Sequence, residues 1–267
     1  MQTQSIAPTS LKERVKSQIP AVPLQIYRVF RSGDILRMSG FLSKSSSRTQ
    51  LSRRWTMLKQ ILRVSRNVTC YHTESELLAP ISAVLALSGE NGGVIVEAGC
   101  CKGGSTAKLS LAAGVAGRLL YVFDSFEGMP ENEEPHDTNI WGGAVRFPAG
   151  SYKGAMEEVT NNVQRFGDIG VCRFVKGFFD QTLPGFQESV ALAYLDVDLA
   201  SSTMTCLRYL WPRLAPGGII FSQDGHLPLV LEVFNDDAFW MRELGTPKPE
   251  IHGFGRSKVI WCRKEYA

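Results

Sequence analysis

A chain of 267 residues, 44% hydrophobic and 21% charged, is long enough for one large α/β domain with a substantial core and a small additional segment. Its net charge of +3 is too small to indicate a nucleic-acid partner, and no apolar run approaches the ~20 residues of a membrane-spanning helix, so a membrane partner is not expected either. The 6 cysteines lack C-x-x-C spacing and no signal peptide is apparent, which predicts a reducing, cytoplasmic location.

Residues 1–69 differ in composition from the rest of the chain and are predicted to form an N-terminal arm with a helical lid. The stretch 28–66 carries ten basic side chains against one acid, Asp34. A basic arm could bind an anionic substrate or partner, although a solvated lid would have the same pattern. Apolar residues recur at helical spacing through 55–62, which predicts a helix that covers the core.

From residue 70 onward the pattern predicts alternating helices and strands. Thr73 and Glu76 have the spacing of a capping box and predict the start of a helix. The strands that follow are predicted at 94–98, 119–123, 171–176, 190–195, 219–222 and 258–262, and the helices between them at 103–113, 152–166, 201–214 and 229–244. This alternation is typical of an α/β fold with a doubly wound parallel sheet. Ligands of such sheets bind beyond the carboxyl ends of the strands.

The first of these strands leads through a glycine turn into a helix, an arrangement that places backbone N–H groups next to a ligand. A dinucleotide-binding motif would need glycine at positions 99, 101 and 104, but position 101 is Cys101. Glu97 at the end of the strand would repel a pyrophosphate, whereas it would favour the ammonium group of S-adenosylmethionine. The pattern therefore favours S-adenosylmethionine over NAD, and an NAD(P)-dependent oxidoreductase remains an alternative.

Acidic residues also follow three later strands. Asp124 is placed to accept hydrogen bonds from a ribose hydroxyl pair, or else it is a turn residue. Asp196 and Asp224 end two further strands, and two neighbouring carboxylates could hold Mg²⁺, which would activate a substrate hydroxyl. Asp198 or His226 could add a ligand or act as a base. Without a metal, Asp196 would be a cofactor-side or helix-capping carboxylate, and His226 could have a structural role in the turn.

Five segments together resemble the macrocin O-methyltransferase (TylF/MycF-like) family: EAGCCKGGS (97–105), DSFEGMP (124–130), GFFDQTLP (177–184), LDVDL (195–199) and YLWPRLAPGG (209–218). The resemblance implies a class I S-adenosylmethionine-dependent methyltransferase domain at 70–267, with a Rossmann-like, seven-stranded, mostly parallel sheet and helices on both faces. It further implies transfer of a methyl group to a hydroxyl of a sugar-like or other natural-product acceptor, with help from Mg²⁺, in a homo-oligomer.

The resemblance also implies roles for individual residues. The expected cofactor-binding residues are Glu97, Gly99, Lys102, Gly103, Gly104, Ser105, Asp124, Ser125, Phe126, Gly177, Phe178 and Phe179. Asp196 is the expected catalytic residue and, with Asp224, an expected metal ligand. His226 is a second expected catalytic residue, which rests on its position after Asp224 and not on the resemblance. Metal-binding members of the family carry two consecutive aspartates where this chain has Asp224 followed by Gly225. The missing acid leaves a catalytically inactive partner or scaffold protein as an alternative.

Overall fold

The computed structural model describes residues 34–44, 48–87 and 92–265; the rest of the predicted N-terminal arm lies outside them. The elements are α1 (Asp34–Ser43), α2 (Arg48–Asn67), α3 (Leu78–Leu85), β1 (Val94–Ala98), α4 (Gly104–Ala116), β2 (Leu120–Asp124), α5 (Met156–Phe166), β3 (Cys172–Lys176), α6 (Phe179–Thr182), β4 (Val190–Leu195), α7 (Ala200–Leu210), β5 (Leu214–Ser222), α8 (Pro228–Asn235), α9 (Asp237–Glu243) and β6 (Ile260–Arg263). None of the helices in this part of the chain has the length and apolar character needed to span a bilayer.

The described residues form one sheet with the strand order β3-β2-β1-β4-β5-β6. The first five strands run parallel and β6 runs antiparallel to β5. All six residues of β4 are buried, as expected for a central strand covered on both faces. The chain reverses its direction of winding between β1 and β4, which is where doubly wound sheets bind ligands. The predicted Rossmann-like architecture is therefore confirmed.

The expected seventh strand is wrong for the described residues. The segment between α9 and β6 approaches the sheet, but only His252 pairs with it: its N–H and C=O bond to Trp261 at 2.9 and 3.1 Å. Pro247 and Pro249 precede it, and a proline has no N–H to donate to a ladder. The segment therefore forms a single bridge instead of a strand.

Two apolar cores cover the two faces of the sheet. One core includes residues of α7, α8 and α9. The other includes residues of α2, α3, α4 and α5. Within it, Ile61 and Val64 of α2 are fully buried, which confirms the prediction that a helix in this region covers the core. Trp55 of the same helix instead points outward, with its side chain half exposed.

The predicted helix at 229–244 is two helices, α8 and α9, separated at Asp236. The Asp236 carboxylate accepts hydrogen bonds from the N–H groups of Ala238 and Phe239, at 2.8 and 3.1 Å. This is a side-chain N-cap, and it starts a second helix. The break was therefore encoded locally, by an aspartate followed three residues later by the first buried residue of α9.

Candidate active site

The glycine turn after β1 packs tightly against the end of β4. A Cβ atom at Gly99 would overlap the carbonyl oxygen of Asp196, so only glycine lets the two strand ends come together. Gly99 has φ 84°, and Cys101 adopts φ 46°, a left-handed conformation that is uncommon for a residue with a side chain. Both residues line the main cavity of the protein. The turn therefore places its backbone against the space where a ligand would bind.

Asp124 at the end of β2 joins two of the loops around this cavity. Its Oδ2 accepts a hydrogen bond from the N–H of Cys100, and its Oδ1 accepts one from the N–H of Phe126, both at 2.7 Å. Each carboxylate oxygen has two lone pairs, so both can accept a further hydrogen bond from a ligand. Asp124 and the adjacent Ser125 line the cavity. The structure thus supports both interpretations of Asp124, since it organises the turn and also faces the ligand space.

Glu97 differs from the expectation of direct contact with a ligand. It is fully buried and is not among the residues that line the cavity. Within the described part of the chain, neither carboxylate oxygen has a hydrogen-bond partner. Burial raises the pKa of Glu97 from 4.5 to about 7, while the nearby hydroxyls of Ser105 and Thr106 lower it. A buried acid in this position can favour a cation in the cavity by its field when it is ionised.

Three carboxylates meet at the ends of β4 and β5. Asp196, Asp198 and Asp224 each offer an oxygen, and these oxygens lie within 4.8 Å of one another. Asp224 Oδ2 accepts hydrogen bonds from the N–H groups of Val197 and Asp198, both at 2.9 Å. Asp224 Oδ1 is buried and has no partner among the described residues. Asp198 had been predicted only as an auxiliary ligand or base, and here it belongs to the cluster and adopts a left-handed φ of 58°.

The charge of this cluster is only partly balanced. Burial raises the pKa of Asp196, Asp198 and Asp224, and the charge of Asp224 raises the pKa of the first two further. Lys258, which lines the same cavity, lowers the pKa of all three. Hard carboxylate oxygens grouped in this way, one of them without a partner, fit a divalent cation such as Mg²⁺. The residues present are thus suited to a metal.

Gly225 occupies the position of the second of the two consecutive aspartates that the resemblance implies for a metal-binding member. It is buried, and a Cβ atom there would overlap Ile260 Cγ2 and lie 2.8 Å from the Ser257 carbonyl oxygen. Its N–H donates to the carbonyl oxygen of Lys258 at 2.9 Å. The segment that leads into β6 therefore occupies the space that a side chain at position 225 would need. The same segment brings Lys258 to the cavity.

The main cavity has a volume of about 710 Å³ and brings together part of the predicted site. The predicted residues that line it are Gly99, Asp124, Ser125, Phe178, Phe179, Asp196 and His226. Those that do not line it are Glu97, Lys102, Gly103, Gly104, Ser105, Phe126, Gly177 and Asp224. Most of the second group are buried turn and helix residues behind the wall, whereas Lys102 forms an ion pair with Glu158 at 3.3 Å near the surface.

His226 faces the cavity and carries little positive charge. Burial, followed by the charge of Lys258, lowers its pKa from 6.5 to about 4. Its Nδ1 is buried without a partner within the described residues. The indole of Trp141 stacks on the imidazole, with ring centroids 5.9 Å apart and an angle of 20°. A neutral imidazole held against an indole can accept or donate a hydrogen bond in the cavity.

Several wall residues were not identified as site residues from the sequence. The cavity is also lined by Arg146, Phe147, Tyr152 and Lys258, which come from loops with no helix or strand periodicity. Tyr152 has φ 58° and packs edge to face with Tyr71, 5.0 Å between centroids. A non-glycine residue with positive φ often marks a functional loop, but backbone angles cannot be read from the sequence.

Glu134 connects the long loop between β2 and α5 to the start of α7. Its carboxylate accepts hydrogen bonds from the N–H groups of Ala200 and Ser201, at 2.7 and 2.8 Å, and so caps α7 from a distant part of the chain. It also contacts His136 Nε2 at 3.0 Å. These contacts fix the loop beside the carboxylate cluster. Capping across 66 residues leaves no local sequence signal.

Comparison with known proteins agrees with this arrangement. The family model described as Macrocin-O-methyltransferase (TylF) matches residues 78–244. The chain is 37% identical over 186 residues to a protein of Streptomyces olivaceus named 8-demethyl-8-(2,3-dimethoxy-alpha-L-rhamnosyl)-tetracenomycin-C 4'-O-methyltransferase. That match covers 63% of this chain and 65% of the relative, which is less than two thirds of its length.

Other similar proteins point the same way. The chain is 28% identical over 183 residues to mycinamicin III 3''-O-methyltransferase of Micromonospora griseorubida, covering 64% of this chain and 68% of that one. The solved structure of the O-methyltransferase NovP superposes with a TM-score of 0.62 at 22% identity, covering 79% of this chain and 97% of the other, and so supports the fold. Because the family model matches more than half of its residues, the chain belongs to the macrocin O-methyltransferase family.

Proposed function

We propose that the protein is an S-adenosylmethionine-dependent O-methyltransferase that acts on a hydroxyl group of a sugar-bearing small molecule. The observation that carries the proposal is a single cavity with both Asp124 and Asp196 in its wall. Asp124 can accept hydrogen bonds from the ribose hydroxyls, and Asp196 can take the proton of an alcohol. Methyl transfer requires the cofactor and the alcohol to be held in line in one space, and this cavity offers such a space.

The cofactor would lie across the ends of β1, β2 and β3. Asp124 and Ser125 would bind the ribose, and Phe178 and Phe179, which line the cavity, would pack against the adenine. Gly99 allows close approach to the backbone, while Glu97 favours the cationic amino and sulfonium groups through its charge. The remaining predicted residues, Lys102, Gly103, Gly104, Ser105, Phe126 and Gly177, would act by shaping the turns that carry these contacts.

In methyl transfer, the residues of this chain would have two roles: they align the acceptor and they accept its proton. When bound, S-adenosylmethionine would supply the methyl group, with a neutral thioether as the leaving group. As the acceptor oxygen forms its new bond to carbon, its proton passes to an oxygen of Asp196, whose pKa is raised by burial and by Asp224. A divalent cation bound by Asp196, Asp198 and Asp224 would lower the pKa of the hydroxyl. His226 is the second candidate base, because it is neutral and faces the cavity.

The names of the relatives support a sugar hydroxyl as the acceptor. The Streptomyces olivaceus protein is named for the 4' position of a rhamnosyl tetracenomycin, and the Micromonospora griseorubida protein for the 3'' position of mycinamicin III. In this chain Tyr71, Tyr152 and Phe147 line the cavity, and such rings can pack against the face of a sugar. A glycosylated natural product in antibiotic biosynthesis is therefore the acceptor class that we propose.

Of the alternatives, an inactive partner protein remains the one to test. The missing second aspartate had raised that alternative, but Asp198 brings the cluster to three carboxylates. An NAD(P)-dependent oxidoreductase is disfavoured, because Cys101 and the buried Glu97 do not suit a pyrophosphate. Homo-oligomer formation stays a prediction, which light scattering on the purified protein would test.

Titration calorimetry with S-adenosylhomocysteine tests the proposal directly. We expect binding at micromolar concentrations, and an absence of binding would overturn the proposed function. Methyl transfer to a panel of glycosylated antibiotics then tests for activity, since cofactor binding without turnover on any acceptor would favour the inactive partner protein. Activity that is unchanged by EDTA would remove the metal and leave Asp196 and His226 as the candidate bases.

A further inference from the structure

Lys108 is a buried cation that forms no direct ion pair with the residues that the structure describes. It lies one turn into α4 and has no exposed surface. Its Nζ lies 3.1 Å from Nε2 of His72 and 3.7 Å from Sγ of Cys70, and it makes no ion pair with any residue that the structure describes. Taking an ammonium group out of water is costly unless it is paired. The charges of Glu74 and Glu76 raise the pKa of Lys108, but neither residue forms an ion pair with it within the described chain, so its direct partners leave it able to balance an anion from outside.

His72 connects this lysine to the cavity. His72 is one of the residues that line the cavity, and its Nε2 contacts Lys108. An ammonium group can only donate hydrogen bonds, so Nε2 is the acceptor and the imidazole proton lies on Nδ1. Burial, and then the charges of Lys108 and Lys258, hold the pKa of His72 well below its usual range, which keeps the ring neutral. His72 therefore offers an N–H donor with a positive charge directly behind it.

The contacts of the glycine turn place this donor beside the proposed cofactor. Asp124, at the ribose end, bonds to the N–H of Cys100 at the start of the turn. At the end of the turn, Gly104 lies so close to Cys70 that a Cβ atom there would overlap the Cys70 sulfur. The segment that carries His72 therefore packs on the turn at the end away from Asp124. An amino-acid tail that extends from the nucleoside across the turn would reach it.

We propose that His72 and Lys108 form the subsite for the carboxylate of the cofactor's amino-acid tail. His72 donates its Nδ1–H to the carboxylate, and Lys108 holds the imidazole in the required tautomer and supplies the charge. Lys108 acts through His72 and is a positioning residue. This inference rests on the proposed function, because it names the residues that recognise one end of the same cofactor. Together with Glu97 it gives the site opposite charges for the two ends of the zwitterionic tail.

A comparison of two ligands distinguishes contacts to the amino-acid tail from contacts to the nucleoside. S-adenosylhomocysteine carries the amino-acid tail, and 5'-deoxy-5'-methylthioadenosine has the same nucleoside and thioether without it. Calorimetry should show that Lys108→Met and His72→Phe each lower the affinity for S-adenosylhomocysteine at least tenfold. The affinity of the same variants for methylthioadenosine should stay within twofold of the wild-type value. His72→Asn retains an N–H donor and should recover part of the loss. Lys248→Met, which removes a lysine that pairs with Asp237 on the surface, is the control and should change neither affinity.

Each other outcome overturns the inference. If the variants lower the affinity for both ligands equally, the two residues stabilise the whole site and do not recognise the tail specifically. If S-adenosylhomocysteine binds every variant as it binds the wild type, the tail lies elsewhere, although the proposed function stands. A rise in KM for the acceptor alone would assign the pair to an anionic acceptor. If the wild type binds neither ligand, the proposed function fails as well. Thermal unfolding of each variant checks that it is folded, and the uncharged Lys108→Met side chain suits the buried position.

Discussion

Replacing Gly225 with alanine should destabilise the protein, because the structure leaves no room for a side chain there. A Cβ atom would overlap Ile260 Cγ2 and lie 2.8 and 3.1 Å from the carbonyl oxygens of Ser257 and Lys258. The two oxygens belong to backbone next to β6 and cannot move without disturbing the bond from the Gly225 N–H to Lys258. Overpacking of a buried site typically costs about 1–3 kcal/mol. For a domain of this size that lowers Tm by roughly 2–4 °C for each kcal/mol.

The assay is urea denaturation followed by circular dichroism, with Gly185→Ala as the matched control. Gly185 is exposed and has nothing within 4 Å of an added Cβ atom, so its replacement should be neutral or stabilise by about 0.4–1 kcal/mol. If Gly225→Ala is as stable as Gly185→Ala, the steric explanation for the missing aspartate is wrong. In that case an aspartate could be built at position 225, and its absence would need another reason.

Three further predictions concern the site and the helices. Asp196→Asn should reduce methyl transfer by about 10²–10⁴-fold, as expected for loss of a general base, with S-adenosylhomocysteine affinity retained in calorimetry; turnover near the wild-type rate would exclude Asp196 as the base. Glu97→Gln should gain stability over the wild type as pH rises from 5 to 8 in urea denaturation. The folded protein holds the Glu97 proton up to about pH 7, so its contribution of roughly 3 kcal/mol is present below pH 4.5 and lost toward pH 7; parallel profiles would contradict this. Asp236→Ala removes the cap of α9 and should cost about 0.5–2 kcal/mol at neutral pH, whereas an unchanged unfolding midpoint would show that packing alone holds the helix.

The alternation of strands and helices, and the edge of the sheet at which a site is expected, could be predicted from the sequence because both follow from local patterns. Short apolar runs alternate with helical periodicity, and such alternation permits few topologies. The carboxyl ends of parallel strands lie at one edge, so Asp124, Asp196 and Asp224 were expected to be neighbours before any distance was known. Glycines in the turn after β1 predicted close backbone approach, and Gly99 against Asp196 is that approach.

The number of strands and the function of individual acids depended on longer-range packing. His252 forms one bridge to Trp261 because two prolines precede it, and only the structure shows which pairings survive. Glu97 was expected to contact the ligand, yet the strand's side-chain alternation buries it behind the cavity wall. Asp198 joins Asp196 and Asp224 through an unusual backbone angle, which no spacing rule anticipates.

The sequence by itself determined the fold class, the edge of the sheet that carries the site and most of its acidic residues, since these depend on periodicity and on neighbours along the chain. Only the tertiary structure decided how the charges are balanced. Lys258 reaches the carboxylates from the segment before β6, and Lys108 reaches His72, which lies 36 residues earlier in the chain. Such pairs form because packing brings distant segments together and excludes water, and the burial that results shifts the pKa values of His72, of Lys108 and of the three aspartates. Neither the packing of distant segments nor the resulting burial can be read from a local sequence pattern.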